Sequence, residues 1–187
     1  LTWRNFNFAL AFLFFCLPTY LIRFNLGLLP TTLLEVMIGV ITIIWLIKYH
    51  KNISHLLSLI SRQYPSLTIA TALFLLAATI SVFTSINTRA ALGEWKAFYI
   101  EPIILFIIII TTVRQHTGHR SLITDYKLLN SIILALTLCG LATSLLAIYQ
   151  HFTGWLVPDA FWTNHDTYRV TAWYGFPNAV GLFLAPI

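Results

Sequence analysis

The sequence predicts an all-α polytopic transmembrane helical bundle, with five complete spans and a truncated sixth, and three observations carry that prediction. Hydrophobic residues make up 58% of the 187 and charged residues 9%, where a soluble globular domain carries about a quarter charged residues. The apolar residues form continuous runs: Phe6 to Ile22, Thr31 to Ile47, Leu67 to Phe83, Ala97 to Val113, Leu128 to Tyr149, and a last one from Phe176. The basic residues fall in the short connections between these runs, which is the pattern of membrane topology and not of a nucleic-acid surface.

Each run is long enough for a helix, and backbone groups in hydrocarbon must be paired within their own segment. Barrel strands would alternate and be about half as long. The last run, Phe176 to Ile187, covers twelve residues, against the roughly 20 a span needs. With Leu1 at the start, the chain is therefore expected to be the N-terminal part of a longer one, residues 1–187 forming a single transmembrane domain. Cys16 and Cys139 each sit within an apolar run and read as packing residues. No cleavable leader is expected, since the first run lacks a small-residue cleavage site and more spans follow.

Orientation follows from the distribution of Lys and Arg. One side receives Arg4, Lys48, Lys51, Arg62, Arg114, Arg120 and Lys127, with Asp125; the other receives Arg23, Arg89, Lys96 and Arg169, with Glu35, Glu94, Glu101, Asp159 and Asp166. The richer side is expected to be cytoplasmic, with the N-terminus inside. Trp3, Trp45, Trp95 and Trp155 fall at the expected ends of spans and Trp162 and Trp173 in the last outer connection, as amphipathic rings prefer. Asn52-Ile53-Ser54 matches a glycosylation sequon but falls on the expected inner side.

The polar residues of interest gather on the expected outer side. Glu35 and Glu101 lie in the outer part of their helices. There they either complement the helix dipole, find a basic partner, or belong to a site. Arg89 and Lys96 are seven residues apart in "SINTRAALGEWKAFYIEP" and share a face if that segment is helical. Arg89 and Arg169 are candidates for a basic pocket, because the planar guanidinium suits phosphate or diphosphate; otherwise they snorkel or pair with neighbouring acids. Residues 151–175 form a long aromatic loop, expected to lie on the outer surface as a short helix or cap. Within it His165 and Asp166 form either an acid/base pair or a solvated one. The inner "RQHTGHR" reads as a hydrated basic loop, and Gly140 with Ser144 as a small-residue packing face on the fifth span.

Nothing matches a Walker loop, a dinucleotide fingerprint, a zinc motif or a nucleophile elbow, so no metal and no cofactor is expected. The stretch "YRVTAWYGFPNAVGLFLAP", an arginine followed by small and aromatic residues, then Phe-Pro-Asn and a small-residue helix, resembles the mid-chain motif of bacterial O-antigen ligases and O-antigen polymerases. "TRAALGEWKAFYIEPIILF" resembles an outer connection and the helix after it in the same proteins. The motif likeness covers about forty residues.

That resemblance implies a multi-pass glycosyltransferase of the bacterial inner membrane. It would transfer a glycan from an undecaprenyl diphosphate-linked donor to a lipid A core, glycan or protein acceptor on the outer face. Arg169 matches the motif arginine and Arg89 is a weaker match; with Glu101, Tyr168 and Asn178 they make the expected substrate-binding set. The acceptor-activating histidine of that family lies in a large loop that would follow Ile187, so the catalytic residue is expected downstream. Two other classes compete: a transporter or lipid-linked-sugar flippase, for which polar sites belong near the midplane, and a non-catalytic membrane subunit.

Overall fold

The computed structural model describes residues 5–26, 29–50, 53–117 and 126–187. Trp3, Arg4, Lys51, Asn52, His119, Arg120 and Asp125, which enter the topology and loop assignments above, lie outside that set. Two compact units are present. The first comprises residues 1–37 and 126–187, and the second residues 38–125.

Among the described residues, three helices are long and apolar enough to cross a membrane: Pro65–Thr84, Thr88–Val113 and Lys127–Thr153. At 1.5 Å per residue they reach about 30 to 40 Å, enough for a hydrocarbon core of roughly 30 Å. Their flanks are apolar and uncovered, with Leu73 61% and Phe74 59% exposed, which is the signature of a helical membrane protein.

In the first unit, α1 (Phe6–Phe15) packs along α7 (Tyr126–Thr153). The run expected as one span, Phe6 to Ile22, is α-helical only to Phe15 and continues as a 3-10 segment, Leu17–Leu21. Pro18 is the cause: it has no N–H to donate, and its ring conflicts with the carbonyl four residues back. The chain tightens instead, with the Thr19 amide and hydroxyl both donating to the Cys16 carbonyl.

A two-stranded antiparallel hairpin, absent from the apolar-run reading, follows within this mostly helical chain. Strand β1 (Arg23–Leu26) pairs with β2 (Leu29–Thr32), Arg23 opposite Thr32 and Asn25 opposite Pro30. In a two-stranded sheet every strand is an edge, so Pro30 is tolerated.

Helix α2 (Leu33–Tyr49) begins with a capping box. Glu35 N–H donates to Thr32 Oγ1 at 3.2 Å, while Glu35 Oε2 accepts from Thr31 Oγ1 at 2.7 Å and from the Thr32 amide at 3.4 Å. This is the T-x-x-E reciprocity that satisfies otherwise orphaned amides. It gives Glu35 a structural task at a helix start.

In the second unit, α3 (Ile53–Gln63) is a helix that the apolar runs did not announce. It is followed by α4 (Pro65–Thr84) and α5 (Thr88–Trp95), the latter capped by Asn87 Oδ1 accepting from the Ala90 amide at 3.1 Å. Residues Lys96–Ile100 form a π-helical turn that leads without a break into α6 (Glu101–Thr117). The fourth span, expected from Ala97, therefore sits within a longer helical run. Glu101 does not open a free helix end either: its amide donates to the Lys96 carbonyl. Helix α8 (Pro177–Leu184) completes the first unit, with Pro177 at its first position.

One device recurs in both units. Trp45 Nε1 donates to Thr111 Oγ1 at 3.0 Å, Trp95 Nε1 to Thr79 Oγ1 at 3.1 Å, and Trp173 Nε1 to Thr143 Oγ1 at 3.2 Å. Each threonine hydroxyl passes its own proton to the carbonyl four residues earlier, on Ile107, Leu75 and Cys139. A hydroxyl is both donor and acceptor, so it keeps a local helix bond while it receives an indole from elsewhere. Trp45, expected at a span end, lies near the end of α2 and is only 5% exposed.

Candidate functional site

The site forms between the end of α7, the following loop and the start of α8, all within the first unit. The end of α7 presents one buried face, Cys139, Thr143 and Gln150, at the i, i+4, i+11 spacing of a helical stripe. Cys139 is a free thiol, as is Cys16. Gly140 on the neighbouring position lets α8 approach: a Cβ there would stand 3.2 Å from Ile187 Cγ2 and 3.6 Å from Leu184 Cδ2. This is the close packing expected of Gly140.

Gln150 is 0% exposed and organises the loop. Its Oε1 accepts from the Thr171 amide at 3.0 Å and the Ala172 amide at 2.7 Å; its Nε2 donates to the Leu156 carbonyl at 2.7 Å and the Ala172 carbonyl at 2.9 Å. The two ends of the amide cannot be exchanged, because one faces only N–H groups and the other only carbonyls. The Gln150 backbone carbonyl in turn accepts from Gly154 N–H at 2.8 Å and from the Tyr168 hydroxyl.

The loop itself is ordered by local bonds. Asp159 Oδ1 accepts from the Phe161 amide at 2.9 Å and starts a 3-10 turn, Ala160–Thr163. Trp162 then donates its indole N–H to the Gly175 carbonyl at 3.1 Å, and its carbonyl accepts from the Arg169 amide at 3.3 Å. The Arg169 guanidinium lies 6.0 Å from the Trp162 ring centre, at the outer limit of cation–π attraction. The expected loop of 151–175 thus begins with the last turn of α7, which runs to Thr153, and contains one 3-10 turn.

Below the loop, Ala172, Tyr174 and Val180 form a small core with Leu21, Leu146 and Phe183 packed on it. Burial, with Cys139 and Tyr20 adding to it, pushes the Tyr174 phenol above the usual tyrosine range.

These elements enclose an open cleft of about 440 Å³, lined by His151, Tyr168, Arg169, Val170, Pro177, Val180 and Gly181. One part of the lining is cationic and hydrogen-bonding, the other apolar. Pro177, Val180 and Gly181 share a face of α8 by their i, i+3, i+4 spacing. Asn178, expected with the binding residues, is exposed one position off that face and does not line the cleft.

Of the expected set, the cleft brings together Tyr168 and Arg169. Arg89 and Glu101 belong to the second unit, on α5 and at the start of α6, within one continuous helical run. His165 and Asp166 stand 3.5 Å apart with side chains 102% and 90% exposed, a solvated pair. Sequence reasoning missed two residues here. His151 stands in the sequence only as the start of a loop, and Gln150 lies just past the run that ends at Tyr149; an amide directly after a long apolar run, seven residues from Thr143, is the available signal.

Comparison with protein-family models, with characterised proteins and with solved structures finds no match to this chain.

Proposed function

We propose that this chain belongs to a membrane glycosyltransferase that takes a glycan from an undecaprenyl diphosphate-linked donor and passes it to a glycan, lipid A core or protein acceptor, as its resemblance to O-antigen ligases and polymerases implies. In this proposal the chain supplies five spans and the start of a sixth in the inner membrane of a bacterium, with the N-terminus cytoplasmic and the cleft on the outer face. The observation that carries it is the cleft, whose lining combines Arg169, His151 and Tyr168 with the apolar Val170, Pro177 and Val180.

A diphosphate leaving group gathers negative charge as the glycosyl bond breaks, and fixed positive partners stabilise that charge. Arg169 offers a planar fork for two phosphate oxygens, and the first turn of α8 adds the partial positive charge of a helix start. The apolar wall and the long flanks of α7 suit a polyprenyl chain.

The test is Arg169→Ala in the intact protein. Glycan transfer is expected to fall at least a hundredfold, the scale of losing one transition-state donor, with membrane insertion unchanged; transfer at the wild-type rate removes Arg169 from the mechanism. Cysteine labelling from outside at Ala160, with none at Ser61, checks the orientation in the same cells. A second reading, transport, is favoured by one feature: the π-helical turn Lys96–Ile100 lies inside a span-length helix, and such turns often mark functional sites. Substrate uptake by vesicles containing only the purified protein would establish it.

A further inference from the structure

We propose that Gln150 is the positioning residue of the cleft, a latch that holds Tyr168 and Arg169 in place by fixing two strained points of the loop. The proposal rests on the diphosphate reading of the cleft for the ligand, though not for the latch. Among the described residues, two non-glycine residues have positive φ, Leu156 at 62° and Ala172 at 47°. The left-handed region is sterically disfavoured for an L-residue, so surrounding structure must hold it there. Gln150 does this: its Nε2 donates to the carbonyls of these same two residues, at 2.7 and 2.9 Å.

The latch also sets the chain on either side of Arg169. On one side the Tyr168 hydroxyl donates to the Gln150 backbone carbonyl, a bond that does not depend on the side chain; on the other the Thr171 and Ala172 amides donate to Gln150 Oε1. Residues 169 and 170 are therefore carried between fixed points, and both line the cleft. His151, the next residue on α7, lines it as well, so one helix turn supplies both the latch and a wall. Gln150 does not line the cleft and acts through its neighbours.

The experiment measures two quantities in the intact protein in detergent micelles: binding of inorganic pyrophosphate by calorimetry, and hydrogen exchange of the segment 168–176. Gln150→Leu is expected to speed exchange of that segment and to weaken pyrophosphate binding about tenfold, the change worth roughly 1.4 kcal/mol. Gln150→Glu provides a signature that a purely structural role lacks. Burial and the two facing carbonyls oppose its ionised form while the Thr171 and Ala172 amides favour it, and ionisation in either case removes the donor to both carbonyls. Protonated, it keeps one donor and its acceptors. Binding by Gln150→Glu, relative to wild type at each pH, should therefore be near normal at acid pH and fall as pH rises, while Gln150→Leu is impaired throughout.

Leu128→Ala is the control, since Leu128 is fully buried at the opposite end of α7 and its loss destabilises the unit without touching the latch. Unchanged exchange in Gln150→Leu overturns the latch, whatever the cleft binds. Faster exchange with unchanged pyrophosphate binding overturns the positioning role, as does an equal loss of binding in Leu128→Ala. If wild type itself binds no pyrophosphate, the diphosphate reading fails, and exchange in Gln150→Leu and Gln150→Glu alone decides the latch.

Discussion

The two units use the same polar side chains for different ends. In the second unit, Trp45–Thr111 and Trp95–Thr79 join helix to helix, and every partner lies on regular helical backbone. In the first unit, Trp173–Thr143 and the whole Gln150 network join a helix to a loop, and the loop contains residues in left-handed conformations. Interhelical polar bonds between otherwise apolar helices add modest stability. Polar bonds to irregular backbone do more, because without them the backbone groups have no regular partner. The difference locates the site where backbone geometry depends on side chains, and that is the first unit.

The contrast between the units is sharpest at Gln150. Gln150→Leu removes four side-chain hydrogen bonds and leaves buried amides and carbonyls unpaired; at about 1–3 kcal/mol for each stranded group, the expected loss is at least roughly 3 kcal/mol, read as a large drop in Tm of the purified protein. A loss no greater than that of Trp45→Phe would erase the contrast between the units. Trp45→Phe and Trp173→Phe come next, each expected to cost about 1 kcal/mol, since the threonine left behind keeps its bond to the helix. They diverge in what they loosen: Trp173→Phe should speed hydrogen exchange in the loop before α8, and Trp45→Phe should not.

A smaller effect of opposite sign is expected at two buried hydroxyls. Thr112 Oγ1 and Thr171 Oγ1 have no hydrogen-bond partner among the described residues. Replacing either by valine, close in shape, removes an unsatisfied polar atom and should leave stability unchanged or raise it by up to about 1 kcal/mol. A clear loss in Thr171→Val would mean that its hydroxyl works in the site.

The smallest effect is a pH dependence of the first unit. Tyr174 has a folded-state value raised above 10.0 by burial, then by Cys139 and Tyr20. Its contribution is fully present below pH 10 and is lost as pH rises toward the folded-state value, because the unfolded phenol ionises first. The alkaline limb of Tm against pH should flatten in Tyr174→Phe.

Particular residues show what could be read in advance. The spans around α4 and α7 were legible to within a few residues, because lipid demands long continuous apolar helices and little else satisfies that demand. The α1 run was overextended because hydropathy does not register what Pro18 does to a helix. The capping box at Thr32 and Glu35 is visible as T-x-x-E, and none of the roles weighed for Glu35, dipole, basic partner or site, included it. The polar and aromatic stretch that carries Arg169 was legible from residue type. Gln150 was not, since one amide past the end of an apolar run has no meaning until the chain folds back on it 22 residues later.

By itself, then, the sequence determined the solvent, the helical class and the segment in which polar chemistry collects, because each of these depends on composition and local period. Only the tertiary structure decided that His151 and Arg169 line one cleft, that the tryptophans bind threonines of other segments, and that one glutamine holds two left-handed residues. Those outcomes depend on which donors meet which acceptors across a folded chain, and hydrogen bonds are satisfied in space, not along the sequence.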